Sequence, residues 1–262
     1  MMTEILAAAG AAVFITAVTR AKNALTWPAA LMADAMLIFI TCMSGLQEAM
    51  ALIGMYLAVF VVDMIFGKKM EHATKEIQGK GGIRGIKQVL ANGAAGCFCI
   101  FLYRITGESA FLIAYYASIF EVMADSIASD VGVLSKRPPR DICTWKVVSR
   151  GISGGVSVLG LLASGLVCVA GGLAAGAILH SSLKDIMIII LAPYLGMLTD
   201  SVIGSLIQVK YTCCVCGIQT ERTEHCGKKT MISGGCKKIS NSMVNTICTV
   251  VAAIAGCLFA IV

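Results

Sequence analysis

Charge is scarce in this 262-residue chain. Asp, Glu, Lys and Arg together make up 14% of it, where soluble domains carry about 25%. Apolar residues make up 58%, and mean hydropathy is +0.85. The shortage excludes a soluble domain, a disordered chain and a secreted disulfide scaffold. A signal-peptide pattern is missing too: Glu4 leads the first apolar run, while Arg20 and Lys22 follow it, the reverse of a basic leader. The phosphate-binding pattern G-x-x-x-x-G-K-[ST] is absent, which excludes a P-loop.

What is present is apolar length. Runs near 20 residues long match about 30 Å of hydrocarbon, and eight can be read: 3–19, 27–45, 47–66, 89–104, 109–132, 153–178, 184–208 and 243–262. The expectation is an all-α polytopic bundle of about eight spans, a single membrane domain over 1–262 with a soluble-like insertion at 209–242. The 89–104 run is short and reads as a helix that starts in the interface or is partly broken. The link His180-Ser181-Ser182 is brief, which leaves the split around it open.

Basic residues alternate by loop. Nineteen of the 21 Lys and Arg fall in 20–26, 67–88, 133–152 and 209–242, and the other loops keep Arg104 and Lys184. Five acids share those four loops, so they carry a net +14 while the whole chain carries +6. The positive-inside rule places these loops in the cytoplasm and both termini outside. The expected location is the cytoplasmic (inner) membrane, with the site facing the cytoplasm.

Six carboxylates fall inside the runs: Asp34, Asp63, Glu121, Asp125, Asp130 and Asp200. Carboxylates in hydrocarbon are costly and normally face a wet or paired interior. Five of these six sit toward the basic ends of their runs, so acids from several helices are expected to converge there. Interface solvation is the plainer account of Asp34 and Asp63. Ala124-Asp125-Ser126 and Thr199-Asp200-Ser201 resemble each other, each Asp-Ser pair lying among small residues. Asp125 and Asp130 are about 140° apart on an ideal helix. They share one ion only with a distorted helix end, or with Asp200 closing the site from another helix. Mg²⁺ takes such carboxylates with waters and phosphate oxygens; helix-packing polar contacts are the competing account.

Two basic loops carry glycines. Lys80, Arg84 and Lys87 accompany Gly79, Gly81, Gly82 and Gly85, and Arg150 precedes Gly151-Ile152-Ser153-Gly154-Gly155. The second stretch is expected to enter a helix and form a phosphate cradle at its N-terminus. Orientation and contact with anionic lipid explain the charges alone, but not the glycines. In the insertion, Cys213 and Cys216 form a C-x₂-C pair. Cys226 or His225 completes a candidate structural Zn²⁺ site. Ligation by the adjacent His225 and Cys226 together is awkward, which leaves Cys214 and Cys236 as substitutes.

The chain from about 79 to 262 resembles the integral-membrane family called domain of unknown function ninety-two, which includes the plant phytyl-phosphate kinase and eukaryotic transmembrane protein 19. The resemblance rests on Gln88-Val89-Leu90-Ala91-Asn92-Gly93, Ala124 to Gly132, Leu134 to Arg140 and Gly151 to Ser157. It continues through Asp200 to Gly204, Cys213 to Cys216, His225-Cys226-Gly227 and Asn241 to Asn245. The family usually has Asp-Thr where Asp125-Ser126 stands, and Glu in place of Asp130. The resemblance implies a membrane-embedded kinase for isoprenoid-alcohol monophosphates using CTP or another nucleoside triphosphate.

The expected site follows. Asp125, Asp130 and Asp200 hold Mg²⁺ and, with Asn92, form the catalytic set. Lys80, Arg84, Lys87, Arg150, Ser153, Asn241 and Asn245 bind phosphate. Cys213, Cys216, His225 and Cys226 bind Zn²⁺. The expected partners are a nucleoside triphosphate (CTP or ATP), an isoprenoid lipid phosphate and membrane lipids, not a nucleic acid, with the oligomeric state left open. A cytidylyltransferase, a kinase of the free alcohol and an ion-coupled transporter are the rival readings.

Overall fold

A computed structural model describes residues 2–74, 83–220 and 222–261. Among them are eight helices: α1 (Met2–Ala21), α2 (Trp27–Met43), α3 (Leu46–Thr74), α4 (Ile86–Thr106), α5 (Ser109–Gly132), α6 (Val158–Leu179), α7 (Leu183–Leu206) and α8 (Asn241–Ile261). Seven are long and apolar enough to cross a membrane; α2 is apolar but only 17 residues long, a rise of about 26 Å. The protein is an integral membrane protein with an all-helical core.

Two boundaries differ from expectation. The 89–104 run is neither short nor broken: α4 is a continuous helix of 21 residues, whose first turn, Ile86-Lys87-Gln88, is too polar to register as apolar length. Residues 153–157 are not helical. Gly155–Val156 (β2) pairs antiparallel with Arg140–Asp141 (β1), and α6 starts only after Ser157, whose hydroxyl accepts from Gly160 N at 3.2 Å. The same hydroxyl donates to Gly132 O at 3.0 Å, so one side chain caps the start of α6 and the end of α5. The split at His180 is real, with His180 in the left-handed region (φ 49°) and Ser182 capping α7.

Helix α5 is the axis. Every residue from Leu112 to Ala124 is buried, which is how a helix behaves when protein surrounds it on all sides. Its neighbours approach through glycine. A Cβ at Gly196 of α7 would sit 2.5 Å from Glu121 Cγ, one at Gly160 of α6 2.6 Å from Ala128 O, and one at Gly256 of α8 3.2 Å from Ala114 Cα. Small residues let backbones close in where lipid supplies no hydrophobic drive between helices. The outer helices turn Phe14, Leu57, Phe98, Leu162, Leu166 and Leu258 outward, a surface suited to hydrocarbon.

The described parts of the four basic loops gather at one end. The α1–α2 link pairs with the segment before α4: Thr26 N donates to Arg84 O at 3.1 Å and Arg84 N to Ala24 O at 2.9 Å. The α5–α6 loop is tied to α7 and the insertion by Ser205 Oγ donating to Asp141 Oδ1 at 2.9 Å and Gln208 Nε2 to Ser153 Oγ at 2.9 Å. The insertion folds as a small sheet, Gln219–Thr220 (β4), Lys210–Thr212 (β3) and Met231–Gly234 (β7) in that order, beside a hairpin of Glu224–His225 (β5) and Lys228–Lys229 (β6).

Candidate active site

The basic end encloses a cavity of about 270 Å³. Its walls come from distant parts of the chain: Asp125, Ser126 and Asp130 of α5, Asp200 and Ser201 of α7, Asn241 and Asn245 of α8, the 151–157 loop, and Arg84 and Gln88 beside and within α4. A second, smaller cavity of about 100 Å³ lies among α1 to α4, lined chiefly by apolar side chains such as Leu37, Leu52, Met55 and Val59. Arg84, Gln88 and Ser126 line both. A polar chamber and an apolar one thus share a wall that carries a guanidinium, an amide and a hydroxyl.

The local sequence explains how these groups are held. Asp125 and Asp130 both reach the cavity although α5 runs unbroken to Gly132. Asp200 lines the same cavity from α7, but the three carboxylates do not draw together around a single ion position. Arg84 lies close enough to act electrostatically on both Asp125 and Asp130, and Asp200 and Asp130 lie close enough to act on Asp125. Glu121, one turn deeper on α5, is buried and feels Asp125 and Asp200. Charges of one sign confined in a low-dielectric chamber favour a cation or a hydrogen-bonded ligand among them. Asn245 Nδ2 donates to Asn92 Oδ1 at 3.0 Å, while Asn245 Oδ1 is buried without a hydrogen-bond partner among the described residues. A buried acceptor left so costs about 1–3 kcal/mol, which a donor entering the cavity would recover.

The glycines of the 151–157 loop have a steric role. A Cβ at Gly154 (φ 85°) would lie 2.5 Å from Ser205 Cα, and one at Gly204 2.8 Å from Gly154 N. The loop therefore lies directly on α7 just beyond Asp200. Asp141 fixes the loop's other strand. Burial opposes ionisation of its carboxyl, but hydrogen bonds from Ser205 Oγ, Thr144 N and Oγ1, and Cys143 N outweigh that and hold it below the usual carboxylate range.

Several expected positions fall elsewhere. Arg150 does not line the cavity: its Nη2 donates to Ser135 O at 2.7 Å and to Lys136 O at 3.4 Å, so it closes the loop on itself. The Arg150–Gly155 stretch is a turn and a strand, not a helix N-terminus. Lys87 is exposed on the first turn of α4 and lines neither cavity. Asn92 reaches the polar chamber only through Asn245 and itself lines the apolar one. Asp34 also faces the apolar chamber, accepting from Thr16 Oγ1 at 2.8 Å, and Asp63 is exposed on α3. Lys80 lies outside the described residues. Cys213, Cys216, His225 and Cys226 come together, with all four ligand atoms within 4.8 Å of one another. Among the described residues this is the one such group of three or more Cys, His, Asp or Glu. The three aspartates are spread around their cavity and form no compact carboxylate cage of that kind, and a Mg²⁺ held by one or two of them would take waters and phosphate oxygens for the rest.

The family model described as integral membrane protein DUF92 matches residues 10–253. The chain belongs to the DUF92 family. Among DUF92 relatives, an uncharacterized membrane protein of Methanocaldococcus jannaschii is 35% identical over 127 residues, 48% of this chain and 52% of the relative. From Arabidopsis thaliana, Protein VTE6, chloroplastic, is 30% identical over 152 residues (54% and 45%), and Protein PGR 34% identical over 161 (52% and 56%). The chain spans about half the length of the curated relatives it matches. No solved structure matches it.

In this DUF92 chain, Gln88 and the hydroxyls of Ser126 and Ser201 also line the cavity, beyond the residues expected from sequence. The signal was there. Gln88 follows Arg84 by four residues, one helical turn, and each serine adjoins a site aspartate in the repeated Asp-Ser pair.

Proposed function

We propose that this protein is a membrane-embedded phosphotransferase that converts a prenyl or polyprenyl monophosphate to its diphosphate with CTP or ATP and Mg²⁺. The observation that carries this reading is the wall shared by the two cavities. An isoprenoid phosphate needs an apolar place for its chain and a polar place for its head, and Arg84, Gln88 and Ser126 stand where the two meet. The family resemblance to phytyl-phosphate kinase points to the same class of substrate. On this reading the basic end faces the cytoplasm, where the nucleotide is.

In the reaction an acceptor phosphate oxygen attacks the terminal phosphorus of the donor. A new P–O bond forms, the bond to the bridging oxygen breaks, and the nucleoside diphosphate leaves with that electron pair. The acceptor phosphate is already ionised, so positioning and charge neutralisation dominate over base catalysis. Mg²⁺, when bound, would draw charge from the transferring phosphoryl group; one or two of Asp125, Asp130 and Asp200 would hold it. Arg84 pairs with the acceptor phosphate. Asn245, steadied by Asn92, and Asn241 orient oxygens at the α8 side of the chamber.

The test is the purified full chain with CTP or ATP, Mg²⁺ and phytyl or geranylgeranyl phosphate. The expected products are the prenyl diphosphate and a nucleoside diphosphate. Release of inorganic diphosphate would mean nucleotidyl transfer and overturn the reading, as would no product from any donor–acceptor pair with folded protein.

A further inference from the structure

We propose that Cys213, Cys216, His225 and Cys226 bind one Zn²⁺ ion tetrahedrally, in a site separate from the carboxylate cavity that fixes the connection between α7 and α8. The four residues stand on two turns that face each other. The first is the turn leaving β3. Gly217 N donates to Cys213 O at 3.0 Å, Gly217 takes φ 72°, and Val215 N donates to Cys213 Sγ at 3.4 Å. The C-x₂-C pair is thus curled around its own first sulfur, with a backbone N–H directed at it. The second is the β5–β6 hairpin. His225 pairs with Lys228, so the loop is Cys226-Gly227, and both residues have positive φ, 53° and 72°. Two left-handed residues make the type I′ turn of a tight hairpin. For cysteine that conformation is uncommon.

This turn removes the objection to adjacent ligands. Neighbours on an extended strand point to opposite faces, but His225 ends a strand and Cys226 begins the turn. His225 Nδ1 therefore lies 3.2 Å from Cys226 Sγ and 3.5 Å from Cys216 Sγ. Zn–S bonds of about 2.3 Å and Zn–N bonds of about 2.0 Å at tetrahedral angles require N···S separations of about 3.5 Å. The Cys216 separation matches that value, and the Cys226 separation falls 0.3 Å short of it. Cys213 is buried and His225 half-buried, while Cys216 and Cys226 are exposed, which gives the ion a path in. The other two thiols of the insertion do not take part. Cys214 Sγ is turned to Lys229 O at 3.5 Å, and Cys236 lies where the chain pairs with the end of α7.

The chemistry of the set selects the ion. Three thiolates and an imidazole suit Zn²⁺ and disfavour Mg²⁺ or Ca²⁺. With all four protein ligands in place no coordination position is open, so the ion's role is structural. What it holds is a region with little apolar core of its own, since Val215, Met231 and Ile232 are exposed. Cys236 N donates to Ile207 O and Val209 N to Ile239 O, so the chain leaving α7 is paired with the chain entering α8. Fixing the hairpins above that pairing fixes the helix ends that carry Asp200 and Asn241.

The test is metal content of the full chain, purified in detergent under reducing conditions and dialysed against metal-free buffer. One zinc per chain is expected. C216S and C226S should each retain less than a tenth of it, while C214S and C236S keep it all. Zinc absent from the wild-type chain, unchanged in C216S, or lost equally in C214S would overturn the proposal. A disulfide between Cys213 and Cys216 in the reduced preparation would do the same. Where the variants fail to fold, cobalt substitution of the wild-type chain decides: tetrahedral thiolate–cobalt absorption is expected, and an octahedral spectrum sinks the assignment.

Discussion

The carboxylate cavity and the cysteine cluster are both groups of side chains of metal-ligating type at the same end of the molecule, yet they are built in opposite ways. The four cysteine-cluster residues span 14 positions, and two local turns bring their ligand atoms within 4.8 Å. The carboxylates sit on α5 and α7 and meet only because α5 is enclosed by the rest of the bundle. The first arrangement is compact and complete. The second is wide, repulsive and has an unmatched amide oxygen on its wall. A closed cage suits an ion that stays. A wide chamber of acidic side chains suits one that arrives with phosphate oxygens and departs with product. Sites that act on a substrate commonly carry such strain, and structural sites do not.

That contrast predicts opposite outcomes for variants. Asp125→Asn should lower the rate of prenyl diphosphate formation by about 10³-fold or more while raising Tm by about 2–4 °C, because it replaces a buried acid with a neutral isostere. A drop in Tm would mean the aspartates are packing polar groups, and the contrast would collapse. Arg84→Ala should reduce kcat/KM for the lipid phosphate by about 10–100-fold. Arg150→Ala, which lies outside the cavity, should leave kcat/KM within about twofold and lower stability by about 1 kcal/mol; equal kinetic losses would erase the distinction between the two arginines. Gly196→Ala forces a methyl against Glu121 and should cost about 1–3 kcal/mol, read by thermal unfolding in detergent. The smallest effect concerns pH. Asp141 is held below its ordinary value, so it adds stability that is fully present above about pH 4 and disappears as pH falls through the lower folded value. Asp141→Asn should abolish that acid-side loss, and a variant with an unchanged acid limb would remove Asp141 from the account.

The same contrast governs what could be read from sequence. Helix number and the grouping of the loops followed from apolar length and alternating charge, both local or additive properties. Asp125, Asp130 and Asp200 were legible as a group because buried acids are costly enough to stand out individually. Arg150 and Lys87 are not separable from Arg84 by sequence, since three basic residues near glycines look alike until the β-bridge to Leu25 sets Arg84 apart. The β1–β2 pairing joins residues about 15 positions apart, so the strand at Gly155–Val156 had no local signature and its apolar content was absorbed into the next span. The Asn92–Asn245 bond crosses 153 positions. Only the bundle could reveal it.

That bridge to Arg84 also bears on how the molecule moves. The backbone of Arg84 is clasped on both its N–H and its C=O by the turn between the first two helices, and Thr26 at that turn is the N-cap of α2. The Arg84 guanidinium can swing by rotamer change, but any shift of its backbone must take the start of α2 with it. The first two helices are then levers as well as walls. The amides of Thr26 and Arg84 should exchange with solvent deuterium as a pair, both slowing when the chamber is filled.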